Sequence, residues 1–88
     1  MNNPILRRKK HMMSETEWMQ TFGDNLRDML EEARMSQSEL ADEIGVTQST
    51  VNRYIHGLAM PSVKSLVNIC HVLDASLDDI LYFGEKIW

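Results

Sequence analysis

The segment from Gln37 to Gly57 constrains the fold most, because it has the pattern of two short helices separated by one glycine. Gly45 follows the last residue of an apolar stripe formed by Leu40, Ala41 and Ile44. Glycine is favoured at that point, since it enters a left-handed turn at a helix C-terminus without a steric penalty. Thr47 then provides a good N-cap for a second helix. The segment therefore predicts two helices joined by a tight turn.

The second of these helices is predicted to have one buried and one polar face. Its spacing buries Val51 together with Tyr54 or Ile55, and Gly57 ends it. The residues that point outward are Gln48, Ser49, Thr50, Asn52 and Arg53. Two helices, a glycine-bearing turn and a polar second-helix N-terminus are typical of a helix-turn-helix, whose second helix enters the DNA major groove.

An ordered series of residues carries a resemblance to a known family. It consists of Gln37, Glu39-Leu40-Ala41, Ile44-Gly45-Val46-Thr47, Ser49-Thr50-Val51, Arg53, Gly57 and Pro61-Ser62. The series resembles the Cro/repressor-type helix-turn-helix family, also called the XRE family. The sequence departs from the family pattern at Arg34, where a glycine is usual. It departs again at Leu30, where many members carry a basic residue that pairs with the glutamate matching Glu39.

The rest of the chain supplies three further helices. Apolar residues recur at helical spacing from about residue 17 to Ala33. Ser36 with Glu39 predicts a capping box for the helix that begins at Gln37, the first helix of the helix-turn-helix. Pro61-Ser62 opens a fourth helix, and Ser76 caps a fifth. The fourth is expected to use Val63, Leu66, Val67, Ile69, Cys70 and Leu73 as its apolar stripe, and the fifth Leu77, Ile80 and Leu81.

Without a strand signal, the fold class is all-α. The expected architecture is a compact five-helix, lambda-repressor-like DNA-binding domain over residues 15–88, preceded by a flexible basic arm over residues 1–14.

The distribution of charge along the chain favours DNA binding, although the net charge of −4 does not. Phosphate contacts need Lys and Arg, and no acidic residue lies between Ile44 and Leu73, a window that contains Arg53 and Lys64. Four basic residues in a row, Arg7 to Lys10, form a separate patch. That patch is either a solvated tail or an arm that holds the DNA backbone or a groove, as homeodomain arms do.

Composition narrows the function classes. The chain has 88 residues, enough for one domain with a modest core. Cys70 is its only cysteine, which favours a reducing cytoplasm. The histidines and Cys70 lack the spacing of a zinc site, and neither a phosphate loop nor a nucleophile triad can be argued. We therefore expect a cytoplasmic protein that is not an enzyme, with no catalytic residues, metal or cofactor.

The expected DNA contacts lie around the second helix of the motif. Gln48, Ser49 and Arg53 occupy its first, second and sixth positions, with Asn52 close by. Gln pairs with adenine, Arg with guanine, and Ser with either. Resemblance to the lambdoid phage repressors marks the first three as base contacts and Gln37 as a phosphate contact that can brace Gln48. Thr47 and Thr50 are expected to donate to phosphates, although Thr47 can equally act as a helix cap.

Two function classes remain open. The first is a sequence-specific regulator, of a phage or plasmid repressor type, that binds double-stranded DNA at a palindromic operator as a homodimer. The second is an antitoxin that binds a toxin protein and represses its own operon. The C-terminal residues Leu81, Tyr82, Phe83, Ile87 and Trp88 could supply a dimer interface, a toxin surface or a cover for the domain's own core.

Overall fold

The computed structural model describes residues 14–82, which form five helices and no strand. The helices are α1 (Glu15–Ala33), α2 (Gln37–Ile44), α3 (Gln48–Ile55), α4 (Val63–Leu73) and α5 (Leu77–Ile80). The predicted all-α, five-helix fold is confirmed. In this part of the chain no helix has the length and apolar character that a bilayer span requires. The proposed basic arm, apart from Ser14, and the tail from Phe83 onward lie outside the described residues.

Each helix begins at a hydroxyl side chain that caps it. The hydroxyl oxygen accepts a hydrogen bond from the backbone N–H three residues later in every case, at Ser14, Ser36, Thr47, Ser62 and Ser76. The capping box predicted for Ser36 and Glu39 is present. Hydrogen bonds from the Ser36 backbone amide and hydroxyl hold the pKa of the Glu39 carboxyl below its ordinary value. The caps explain why helices as short as α2 and α3 begin where they do.

Two non-glycine residues occupy left-handed backbone at helix C-termini. Arg34 ends α1 at φ 54°, and Asp74 ends α4 at the same angle. Glycine enters this region freely, whereas a side chain with a Cβ is strained there. The arginine that departs from the family pattern therefore stands in the backbone conformation that favours the usual glycine.

The core is built from one side of each helix. Fully buried side chains come from all five helices and include Phe22, Leu26, Leu40, Val51, Ile69 and Ile80. The stripe predicted for α4 is wrong at two positions, because Val63 is 79% exposed and Val67 is 52% exposed. The buried side of α4 is centred instead on Ile69 and Cys70. Leu77, an apolar residue of α5, is also 47% exposed.

The backbone of α1 lies directly against the C-terminal end of α3 at Gly23. A Cβ added at Gly23 would lie 2.5 Å from the carbonyl oxygens of Tyr54 and Ile55. One residue earlier, the Phe22 ring meets the Tyr54 ring edge-on, with ring centroids 6.3 Å apart. Gly23 thus lets the backbone of α1 rest directly on the C-terminal turn of α3.

Asn25 fastens the C-terminal end of the described chain to α1. Its side-chain amide donates to the carbonyl oxygens of Ile80 and Tyr82, at 2.9 Å each. The single turn of α5 is too short to be stable alone, so this clamp and the burial of Ile80 hold it in place.

Gly23→Ala should destabilise the fold by about 1–3 kcal/mol, since the added methyl overlaps backbone that cannot rotate away. The direction of this change in the free energy of unfolding is diagnostic, because alanine normally stabilises a helix relative to glycine. Chemical denaturation measures the loss, with Asp28→Ala on the exposed side of α1 as the control. A Gly23→Ala protein that is more stable than wild type would contradict the close approach.

Candidate nucleic-acid interface

The turn between α2 and α3 has the geometry that the sequence predicts. Gly45 adopts φ 76°, and its N–H donates to the Ala41 carbonyl at 2.9 Å. The N–H of Val46 donates to the same carbonyl at 3.0 Å. Thr47 then caps α3. Backbone hydrogen bonds within the turn therefore fix the angle between the two helices.

Helix α3 buries its apolar side. Val51 is fully buried, and both Tyr54 and Ile55 are buried, where the sequence left a choice between them. These side chains face α1 and α2 through the shared core. The remaining side of α3 is free to carry polar groups.

Four of the expected contact residues come together on that polar side. Gln48, Ser49, Asn52 and Arg53 are all exposed and line one shallow groove. Amide, hydroxyl and guanidinium groups can all hydrogen-bond to base edges in a major groove. This groove, named here the α3 groove, is the candidate DNA-reading surface.

Gln37 joins α2 to this surface by a hydrogen bond that the sequence did not reveal. Its side-chain Oε1 accepts from Nδ2 of Asn52 at 3.2 Å. The expected partner was Gln48, one turn earlier on α3. Residues 15 apart in sequence meet here only through tertiary packing, so spacing along the chain gives no signal for the pair.

Thr47 acts as the cap of α3. Its Oγ1 accepts from the Thr50 backbone N–H at 3.2 Å and lies 2.9 Å from the Thr50 hydroxyl. The cap interpretation is confirmed, and a phosphate contact by either threonine stays a prediction. Thr50 itself is half-buried, so less of its side chain can reach a ligand than at Thr47.

Cys70 offers little chemistry. Its side chain is buried, and burial together with the nearby Asp79 charge raises the pKa of the thiol. A protonated, buried thiol is a poor metal ligand and a poor nucleophile. Among residues 14–82, no group of three or more His, Cys, Asp or Glu side chains is placed to hold a metal ion.

Comparison with known proteins identifies the family. A helix-turn-helix family model matches residues 26–80, which span α2, the turn and α3. The chain belongs to this family, the Cro/repressor or XRE type of helix-turn-helix. It therefore carries a helix-turn-helix DNA-binding domain.

Similar proteins include two bacterial regulators. The HTH-type transcriptional regulator YqaE of Bacillus subtilis is 35% identical over 60 residues, which is 68% of this chain and 52% of YqaE. The cryptic phage CTXphi transcriptional repressor RstR of Vibrio cholerae is 33% identical over 45 residues, 51% of this chain and 40% of RstR. The chain thus spans about half the length of the relatives it matches.

A solved structure supports the fold. The clp gene regulator ClgR of Corynebacterium glutamicum superposes with a TM-score of 0.70 and 26% identity, over 73% of this chain and 68% of that one.

Thr47→Ala should lower the free energy of unfolding by about 1 kcal/mol, because the Thr50 amide loses its cap. Thr47→Ser keeps the oxygen and should stay close to wild type. The free energies of unfolding of the two variants, measured by denaturant titration, distinguish the contribution of the capping hydrogen bond from that of the threonine methyl group. Equal losses in both would show that packing of the methyl, and not the hydrogen bond, is what matters.

Proposed function

We propose that this protein is a sequence-specific transcriptional regulator, of a repressor type, that acts in the cytoplasm and binds a palindromic DNA operator as a homodimer. The α3 groove carries the proposal, because it gathers exposed hydrogen-bonding side chains on the helix that follows the turn. The repressor and regulator names of the similar proteins support it.

Within this proposal the residues have distinct roles. Gln48, Ser49 and Arg53 read base edges from the N-terminal half of α3. Asn52 lies beside them and is held by Gln37, which also contacts a phosphate. Thr47 and Thr50 add backbone contacts at the start of the helix. The basic run Arg7 to Lys10 adds non-specific affinity if it reaches phosphates.

A footprint on the genomic DNA that flanks the coding sequence tests the proposal directly. A protected palindrome is expected there if the protein regulates its own gene. Its two half-sites should lie about 34 Å apart, one turn of DNA, if both recognition helices occupy one face of the duplex. A protein with no detectable affinity for any duplex would refute the proposal.

Gln48→Ala and Arg53→Ala should each weaken operator binding by about 1–3 kcal/mol, because each removes a bidentate base contact. Binding to random duplex should fall less. Titration of both variants on operator and on scrambled DNA gives the comparison, and unchanged thermal unfolding serves as the control, since both side chains are exposed. Equal losses on the two duplexes would leave these residues as backbone contacts only.

Exposed apolar residues at the C-terminal end support the dimer. Leu77 is 47% exposed and Tyr82 is 62% exposed. The residues that follow Tyr82 add Phe83, Ile87 and Trp88. Exposed apolar surface on a small domain can mark an interface, so we propose a two-fold interface built from α5 and this tail.

Truncation after Phe83 should therefore shift the protein toward monomer in sedimentation. Operator affinity should fall more than the free energy of unfolding, because a monomer covers a single half-site while the described core keeps its contacts. A truncated protein that still sediments as a dimer would place the interface elsewhere.

A surface near the C-terminal end of the described residues supports the alternative function, an antitoxin. An open cleft between α1 and α5 has apolar lining at Met29, Leu73 and Tyr82 and acidic groups at Glu32 and Asp78, among others. An apolar and acidic surface of this kind fits a basic toxin. A wild-type monomer that binds the protein encoded beside it would favour the antitoxin over the homodimeric repressor.

A further inference from the structure

A second cleft lies at the junction of α1 and α2, beside the α3 groove. Two arginines, Arg27 and Arg34, contribute to its lining, together with Gln37 and the cap residue Ser36. The other lining residues are Leu30, Glu31, Met35 and Ile55. It is named here the arginine cleft.

Arg34 reaches this cleft from a strained backbone position. Its φ of 54° is the left-handed conformation that glycine adopts without penalty. Glycine at this place would end α1 equally well and would remove the strain. Strain that persists in a fold is often associated with a functional site. The side chain that glycine would lack, a guanidinium at the mouth of the cleft, is what distinguishes this chain here.

Arg27 is available for a ligand. Within residues 14–82 it pairs with Asp24, with Nη2 and Oδ1 3.2 Å apart, and both side chains are more than half exposed. An exposed pair of this kind is weak and easily exchanged. A phosphate can therefore replace the Asp24 carboxylate at little cost.

One hydrogen bond links the arginine cleft to the α3 groove. Gln37 lines the cleft, and its Oε1 accepts the hydrogen bond from Asn52, which lines the groove. In a helix-turn-helix complex the first helix of the motif, here α2, crosses the DNA backbone while the second lies in the major groove. The cleft at the start of α2 is thus where a phosphate strand passes.

We propose that Arg27 and Arg34 bind DNA backbone phosphates on the strand that flanks the major groove occupied by α3. This inference rests on the proposed DNA-binding function and adds a contact from α1 and its C-terminal cap. Guanidinium groups suit the role because they can donate two parallel hydrogen bonds to one phosphate. The Glu31 carboxylate in the same cleft opposes the phosphate, so its removal should have the opposite effect.

Affinity as a function of salt tests the inference with the full chain and a random-sequence duplex. Arg34→Gln keeps the backbone strain and removes the charge. It should weaken binding and lower the slope of log affinity against log salt by about 1 for one lost phosphate contact. Between about 50 and 200 mM salt, wild type should therefore lose about threefold more affinity than the variant. Arg27→Gln should behave alike, and Glu31→Gln should bind more tightly than wild type.

The Arg34→Gly variant distinguishes the effect of the arginine charge on DNA affinity from an effect on stability. It relieves the left-handed strain, so its denaturation midpoint should rise above that of wild type while its DNA affinity falls. Affinity and salt slope unchanged in both Arg34 variants would overturn this inference alone, provided that Arg53→Ala still weakens binding. Wild-type protein that binds no duplex would overturn the proposed function as well.

Discussion

The orientation of the recognition helix depends on the contact between Gly23 and the last turn of α3. No side chain separates the two backbones there, so α3 is as close to α1 as main-chain atoms allow. Next to it, the ring of Phe22 packs edge-on against Tyr54, and Gly57 packs against Gln20. Because these contacts fix the C-terminal turn, the N-terminal half of α3 projects as a rigid body. The exposed polar side chains of α3 are thus positioned by the packing of its buried side.

Hydrogen bonds from the N-cap side chains stabilise α2 and α3 in addition to the packing of the core. Helices α2 and α3 have eight residues each, and isolated helices of that length are marginal in water. Ser36 and Thr47 satisfy first-turn amides that would otherwise lack partners. Thr47 stands at the end of α3 that approaches DNA in the proposed complex, so one hydroxyl both starts the helix and sits beside its proposed ligand.

Sequence patterns predicted the features that depend on neighbours along the chain. Helical period and cap residues are local, and so the five helices and the buried sides of α2 and α3 could be predicted. The exposure of Val63 and Val67 could not, because it depends on which side of α4 finds another helix. The Gln37–Asn52 hydrogen bond depends likewise on the angle between α2 and α3. For the candidate site, sequence supplied the residue types and the structure supplied their pairing.

The net charge of the chain and the charges near a bound phosphate also have to be considered separately. A net charge of −4 suggests a poor ligand for DNA, yet exposed charges separated by more than a Debye length of about 8 Å are largely screened at physiological salt. The carboxylates that matter are those within that distance of a bound phosphate, and at the arginine cleft these include Glu31, which lines the surface, and Asp24, which pairs with Arg27. Two guanidiniums line the cleft, and a phosphate that displaces Asp24 from Arg27 would meet both of them. An acidic chain is therefore compatible with the proposed binding of DNA through one face.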